Sequence, residues 1–211
     1  MSLTPNELSL LTAECRKLPV GRDYRVHDYV TNVLNTVLDF QMESQVVGAS
    51  MRYFDENHSI KSHRKLSATV AGYPNTKSGN LKLAQCLWGY NHWTRAKFLR
   101  ELIRQFDARN IRGQESLKRW FTSADFETDV KGRFRTKEHS IGIALFHWLQ
   151  LRLGVDTIKP DVHILNYVEN AIGRRPSPSD AVAGLLTVAK RLRRKAYRID
   201  AAIWHYQREE A

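Results

Sequence analysis

The sequence predicts an all-α fold, and three observations predict it. Apolar residues recur at helix spacing along most of the chain. Proline, glycine and small capping residues bracket those stretches. No run alternates apolar and polar residues over the length of a strand.

Taken in order, Thr4-Pro5-Asn6-Glu7 reads as a helix start, with a capping oxygen followed by proline in the first turn. Pro19-Val20-Gly21 breaks that helix. Val30, Val33, Leu34, Val37 and Leu38 form the next apolar face, which turns polar at Gln41. From Ser59 to Lys82 the period dissolves among Gly72, Pro74, Asn75, Ser78, Gly79 and Asn80, and the stretch reads as loop. Period returns at Phe98, Leu99, Leu102, Ile103 and Phe106, then at Leu117, Trp120 and Phe121. Lys131 to Lys137 is basic and contains Gly132. A helix through Ile141, Ala144, Leu145, Trp148 and Leu149 ends near Gly154. After Pro160, the residues Val162, Leu165, Val168 and Ile172 make one face, closed by Gly173. Ser177-Pro178-Ser179-Asp180 is a further N-cap, ahead of Leu185, Leu186, Ala189 and Leu192. Ile199, Ile203 and Tyr206 belong to the last helix.

Composition narrows the function. The 211 residues suffice for one domain with a core of its own. Lys and Arg number 33 against 22 Asp and Glu, a net charge of +11 that favours an anionic partner, nucleic acid first. Two cysteines, Cys15 and Cys86, are too few for a four-thiolate metal site or an iron–sulfur cluster. Free thiols are expected, together with a cytoplasmic or nuclear setting, because Met1 to Gly21 lacks the basic-then-apolar order of an export signal. No apolar run reaches membrane-spanning length. The eight histidines lack ligand spacing with supporting acids, so neither metal nor cofactor is expected.

The segment richest in chemistry is Ile158-Lys159-Pro160-Asp161-Val162-His163-Ile164. Proline holds Lys159 extended and sets Asp161 at the mouth of a helix, where free amides and the helix dipole favour its ionised form. An ordinary helix cap has the same residues.

This segment resembles the V-D-x-H stretch of the helix-hairpin-helix, endonuclease III-like DNA glycosylases, with Asp161 matching the catalytic Asp and His163 the His. Three further blocks follow in family order. Val37 to Ser44 resembles the helix-to-turn whose Gln fills the gap left by a flipped nucleotide, the place of Gln41. Trp88 to Lys97 is similar to the G-x-x-N-x-K-A segment that opens the following long helix. Arg198 to Trp204 resembles a late helix with an acid-to-Trp spacing. The resemblance implies two helical lobes with a DNA-binding cleft, approximately residues 25–135 as the first and 1–24 with 136–211 as the second. It also implies hydrolysis of an N-glycosidic bond in double-stranded DNA, by a monomer.

In that scheme Asp161 is catalytic, and Gln41, Ser140, Gly142, His163, Lys137 and Arg135 contact DNA. Trp88, Tyr90 and Trp93 are candidates for a pocket that stacks the extruded base. The hairpin departs from the family: His139 to Leu145 keeps one glycine, Gly142, with Ser140 in place of the other. The lysine of the lyase members falls on Gly142 or Ala144, which implies a monofunctional enzyme. The alternative is a non-catalytic DNA-binding protein of the same fold. Lys131, Arg133, Arg135 and Lys137 also fit a solvated loop, and Arg191 to Arg198 fits a basic helix end.

Overall fold

In the computed structural model, residues 2–39 and 42–209 are described. They form α1 (Pro5–Lys17), α2 (Tyr29–Leu38), α3 (Ser44–Asn57), α4 (His63–Ala71), α5 (Lys77–Trp88), α6 (Trp93–Ala108) and α7 (Gln114–Ser123). A π-helical turn at Phe126–Val130 precedes α8 (Ile143–Arg152), α9 (Val162–Ile172), α10 (Pro178–Leu192) and α11 (Ala196–Glu209). Among the described residues the one β feature is an isolated antiparallel bridge between Arg135 and Ser140. No described helix is long and apolar enough to cross a membrane.

The chain divides into two compact units, 1–26 with 146–211, and 27–145. In the first, α1 packs on α9 and α10, and α11 on the same two helices. Its core holds Leu11, Cys15, Ile158, Ile164, Tyr167, Val168, Leu185, Val188, Ile199 and Ile203. The start of α1 is a full capping box. Thr4 Oγ1 accepts from the Glu7 amide, and Glu7 Oε2 accepts from the Thr4 amide at 2.7 Å. The buried face of α9 is Ile164, Tyr167 and Val168, rotated from the expected one, and Val162 in its first turn is 56 % exposed. Spacing alone had two apolar stripes to choose from there, and the core selects the one nearer α1 and α11.

Gly21 brings the loop after α1 onto the first turn of α11. A Cβ there would overlap the Arg198 carbonyl oxygen and come within 2.8 Å of the Ala202 nitrogen, backbone atoms that cannot swing aside. Overpacking a buried contact costs about 1–3 kcal/mol. Gly21→Ala is therefore expected to lower the melting temperature by several degrees, read by thermal denaturation. An unchanged melt would mean that the loop lifts off α11 without cost.

The second unit is built around α6, which packs on α5 and α2, while α3 lies against α5. Phe98, Phe106, Phe121 and Phe134 are fully buried in it. Phe106 meets Phe121 edge to face at 6.4 Å and Phe134 at 6.0 Å. The stretch expected to be loop, Ser59 to Lys82, instead carries α4 and the first half of α5. Its helices bury polar groups, which period does not register. His63 is buried, hydrogen-bonded through Nε2 to Asp107 Oδ1 at 2.8 Å and through Nδ1 to the Tyr29 hydroxyl at 2.7 Å. Gly79 and Asn80 are buried in the first turn of α5.

The contacts place residues 136–145 in this unit rather than with the C-terminal helices. The hairpin segment is tied to α6: Lys97 Nζ pairs with Glu138 at 3.1 Å, and the His139 ring is hydrogen-bonded to Thr94 Oγ1 at 2.9 Å.

Candidate active site

Asp161 is the N-cap of α9. Its backbone is extended (φ −86°, ψ −176°), and its Oδ1 accepts from the His163 amide at 3.1 Å and the Ile164 amide at 3.2 Å. The Pro160 ring and the free amides of the first turn account for this local structure. One carboxylate oxygen is thus fixed by the helix. The other, Oδ2, lies 3.2 Å from the Lys159 ammonium, and the Asp161 side chain is only 17 % exposed.

The pairing of the Lys159 amine with Asp161 is not specified by the extended backbone ahead of Pro160. The amine turns back over the loop and lies 5.0 Å from the centre of the Trp148 ring on α8, whose π face also carries the Arg152 guanidinium at 5.3 Å. Tyr24 packs edge-on against the same indole at 5.4 Å and 81°. The Tyr24 hydroxyl donates to Oδ1 of Asp200 on α11 at 2.5 Å, and the Lys159 amide donates to Asp200 Oδ2 at 2.8 Å. Asp161, Lys159, Trp148, Tyr24 and Asp200 are therefore one connected cluster within the first unit.

Burial dominates the electrostatics. It pushes the Asp200 carboxyl up to about 7, against the pull of its two hydrogen-bond donors. It also raises the Tyr24 phenol, with the Asp200 charge adding to the effect. On α8 partial burial lowers the His147 imidazole to about 4, and its Nδ1 lies 2.9 Å from Thr157 Oγ1. It is a neutral imidazole at physiological pH. No group of His, Cys, Asp and Glu among the described residues could hold a metal ion.

The remaining predicted residues are distributed as follows. His163 follows Asp161 in the first turn of α9, half-buried. Arg135, Lys137, Ser140 and Gly142 belong to the second unit. Ser140 is engaged in the bridge to Arg135, and both Arg135 and Lys137 are exposed. Gly142 is exposed, and a Cβ on it would meet nothing within 4 Å. The left-handed glycine of this region is Gly132, at φ +73°.

Trp88, expected in a base pocket, is 2 % exposed and belongs to the core. Its place at the end of α5, on the face with Leu83, Ala84 and Leu87, explains the difference. Trp93 is half-buried between the Lys77 and Lys97 ammonium groups, each 5.8 Å from the ring. Tyr90 is 44 % exposed and leans on His92 at 4.5 Å.

Gln41 lies outside the described residues. Just before it, the buried Arg95 donates from Nη1 to the carbonyls of Val37 (2.7 Å) and Leu38 (2.8 Å), closing the end of α2.

A separate surface cavity of about 220 Å³ opens between the loop Leu18 to Gly21 and the α10–α11 junction. Arg193, Arg194, Lys195 and Arg198 contribute to its wall. Arg194 is held by the carbonyls of Cys15 and Leu18, and Arg198 by Asp23. Arg193 is exposed at the left-handed C-cap of α10.

The sequence profile described as a domain of unknown function (DUF8548) matches residues 23–208, so the chain belongs to that family. The match includes every member of the cluster around Asp161 and leaves α1 outside. No curated protein and no solved structure matches the chain.

Proposed function

We propose that this DUF8548 member is a monofunctional DNA glycosylase that hydrolyses the N-glycosidic bond of a modified base flipped out of duplex DNA. The observation that carries the reading is the Asp161 carboxylate. One oxygen is locked to the amides of α9, and the other is turned to a positive charge in a partly buried site. Departure of a base leaves a sugar with oxocarbenium character, and a preorganised carboxylate at that point stabilises it. The base must leave the stack to be reached. The resemblance supplies the substrate class and the role of Gln41 as a wedge. A monomer acting on chromosomal DNA, in cytoplasm or nucleus, follows from this reading.

The test is to incubate the purified protein with duplexes that each carry one modified base and to measure release of the free base. A second reading, a non-catalytic DNA-binding protein of the same fold, is favoured by the hairpin, where Ser140 is used in a bridge and Gly142 has no crowded neighbour. DNA binding without release of any base would select it.

Binding to duplex DNA is expected to be electrostatic, given the net charge of +11. The logarithm of affinity should fall linearly with the logarithm of salt, by roughly 0.9 per phosphate neutralised. Affinity unchanged between low and moderate salt would remove the nucleic-acid reading.

The product is expected to be an intact abasic site. A lyase needs a free amine that attacks the sugar carbon and forms a Schiff base. The hairpin positions hold Gly142 and Ala144, and the Lys159 amine is engaged in the ion pair with Asp161. Borohydride added during turnover should trap no protein–DNA adduct, and strands should break only after alkali. An adduct lost in Lys159→Ala would make Lys159 the nucleophile and the enzyme bifunctional.

A further inference from the structure

Asp200 is 3 % exposed, yet it is an acid, and both of its oxygens are used. One accepts from a side chain that precedes α2, the other from the backbone of the residue that pairs with Asp161. A buried carboxyl is costly to keep unless something is gained from it, and a neutral Asn would satisfy the same two partners. Its Oδ1 would accept from the Lys159 amide, and its Nδ2 would donate to the Tyr24 hydroxyl.

What Asn would not supply is charge. The groups that act on Asp200 are Tyr24, Lys159 and Asp161. With Asp200 neutral, the Lys159–Asp161 pair sums to zero. With Asp200 ionised, the three groups sum to one negative charge.

We propose that Asp200 is a positioning residue for Asp161: it fixes the Lys159 backbone and, when ionised, offsets the Lys159 ammonium, so that the Asp161 carboxylate keeps its charge for a cationic centre. The consequence for rate rests on the glycosylase reading; the coupling between the two carboxyls does not. Because burial holds the Asp200 carboxyl near neutrality, the site gains its extra negative charge as pH rises through that range.

Two measurements on the whole protein test this. The first needs no substrate. The Lys159 amide and the Asp161 carboxyl carbon are followed by NMR across pH in the native chain and in Asp200→Asn. Both signals are expected to step near neutral pH in the native chain and to lose that step in Asp200→Asn. Tyr24→Phe removes a donor that favours the ionised form, so it should move the step to higher pH. A purely structural Asp200 predicts no such displacement, and this variant serves if Asp200→Asn does not fold.

The second measurement is single-turnover base release across the same pH range. The native rate should rise through the same midpoint. Asp200→Asn should lose that rise and run roughly tenfold slower at high pH, the effect of about 1.4 kcal/mol on the barrier.

Absence of the step in the native chain overturns the proposal. So does a step that is present while Asp200→Asn keeps the native rate profile. A step with no base released by the native chain overturns the glycosylase reading instead, and leaves the Asp200–Asp161 coupling standing.

Discussion

Asp161→Asn is expected to release base at least about 10²-fold more slowly than the native chain while holding duplex DNA as tightly. The substitution keeps the shape and a capping oxygen for the His163 and Ile164 amides. On the glycosylase reading it deletes the charge that would face the developing cation, and the site has no other described carboxylate joined to the α9 amides. It also presents a neutral amide to the Lys159 ammonium, which loses its direct ion-pair partner and is expected to turn toward solvent or, on the same reading, DNA phosphate. Affinity should therefore hold or rise slightly as rate collapses. Single-turnover base release and equilibrium binding measured side by side check both halves. Full activity in Asp161→Asn would leave Asp161 as a helix cap and nothing more.

The second large effect is on stability against pH. The Asp200 carboxyl has an ordinary value of 3.8 and is raised to about 7 in the fold, with burial the main cause. The folded state therefore keeps a proton that the unfolded chain gives up. Its contribution is fully present below about pH 4, falls as pH rises through the interval, and levels off above about pH 7. A displacement of about three pH units corresponds to about 4 kcal/mol.

Glu7 works in the opposite direction and at lower pH. Arg174 and the Thr4 amide hold it down at about 2, so its contribution is lost as the solution is acidified below its ordinary 4.5. Asp200→Asn removes the decline on the alkaline side. It should unfold at higher denaturant than the native chain at pH 8 and at nearly the same concentration at pH 4. Parallel denaturation curves for the two proteins at both pH values would show that Asp200 is ionised throughout.

Local signals were the readable ones. The capping box of α1, the Ser177 cap of α10 and the Asp161 cap of α9 each depend on residues within four positions, and each stands where the sequence puts it. The helix faces of α2 and α6 were readable because most of their buried residues are apolar, although Asn32, Thr36 and Arg95 are buried with them. α4 and α5 were not, because His63 and Asn80 go inside on the strength of partners elsewhere in the fold, and Gly79 because the Pro74 carbonyl stands where a Cβ would be.

The same distinction runs through the candidate site. Asp161 could be found from Pro160 and the helix that follows. Asp200 could be found only as the acid of the Arg198 to Trp204 block, and its pairing with Tyr24 not at all, since 176 positions separate the two. The direction of the Lys159 side chain is set by Trp148 and Asp161 together, which an extended backbone before proline does not specify. Trp88 shows the converse error: an aromatic beside a glycine looks available for stacking until the fold closes over it.

The Arg95 guanidinium has a mechanical meaning. By gripping the final two carbonyls of α2 from inside α6, it welds the end of one helix to the middle of the unit's core. A side chain that pushes into a base stack is a lever, and a lever transmits force only from a fixed fulcrum. On the proposed reading of Gln41 as a wedge, Leu38 would be such a point: its carbonyl and that of Val37 are already bound, so a load applied beyond it would be borne by α6 rather than by fraying of α2. Cutting that weld with Arg95→Met would strip two helix-end carbonyls of their donor and leave the fulcrum loose.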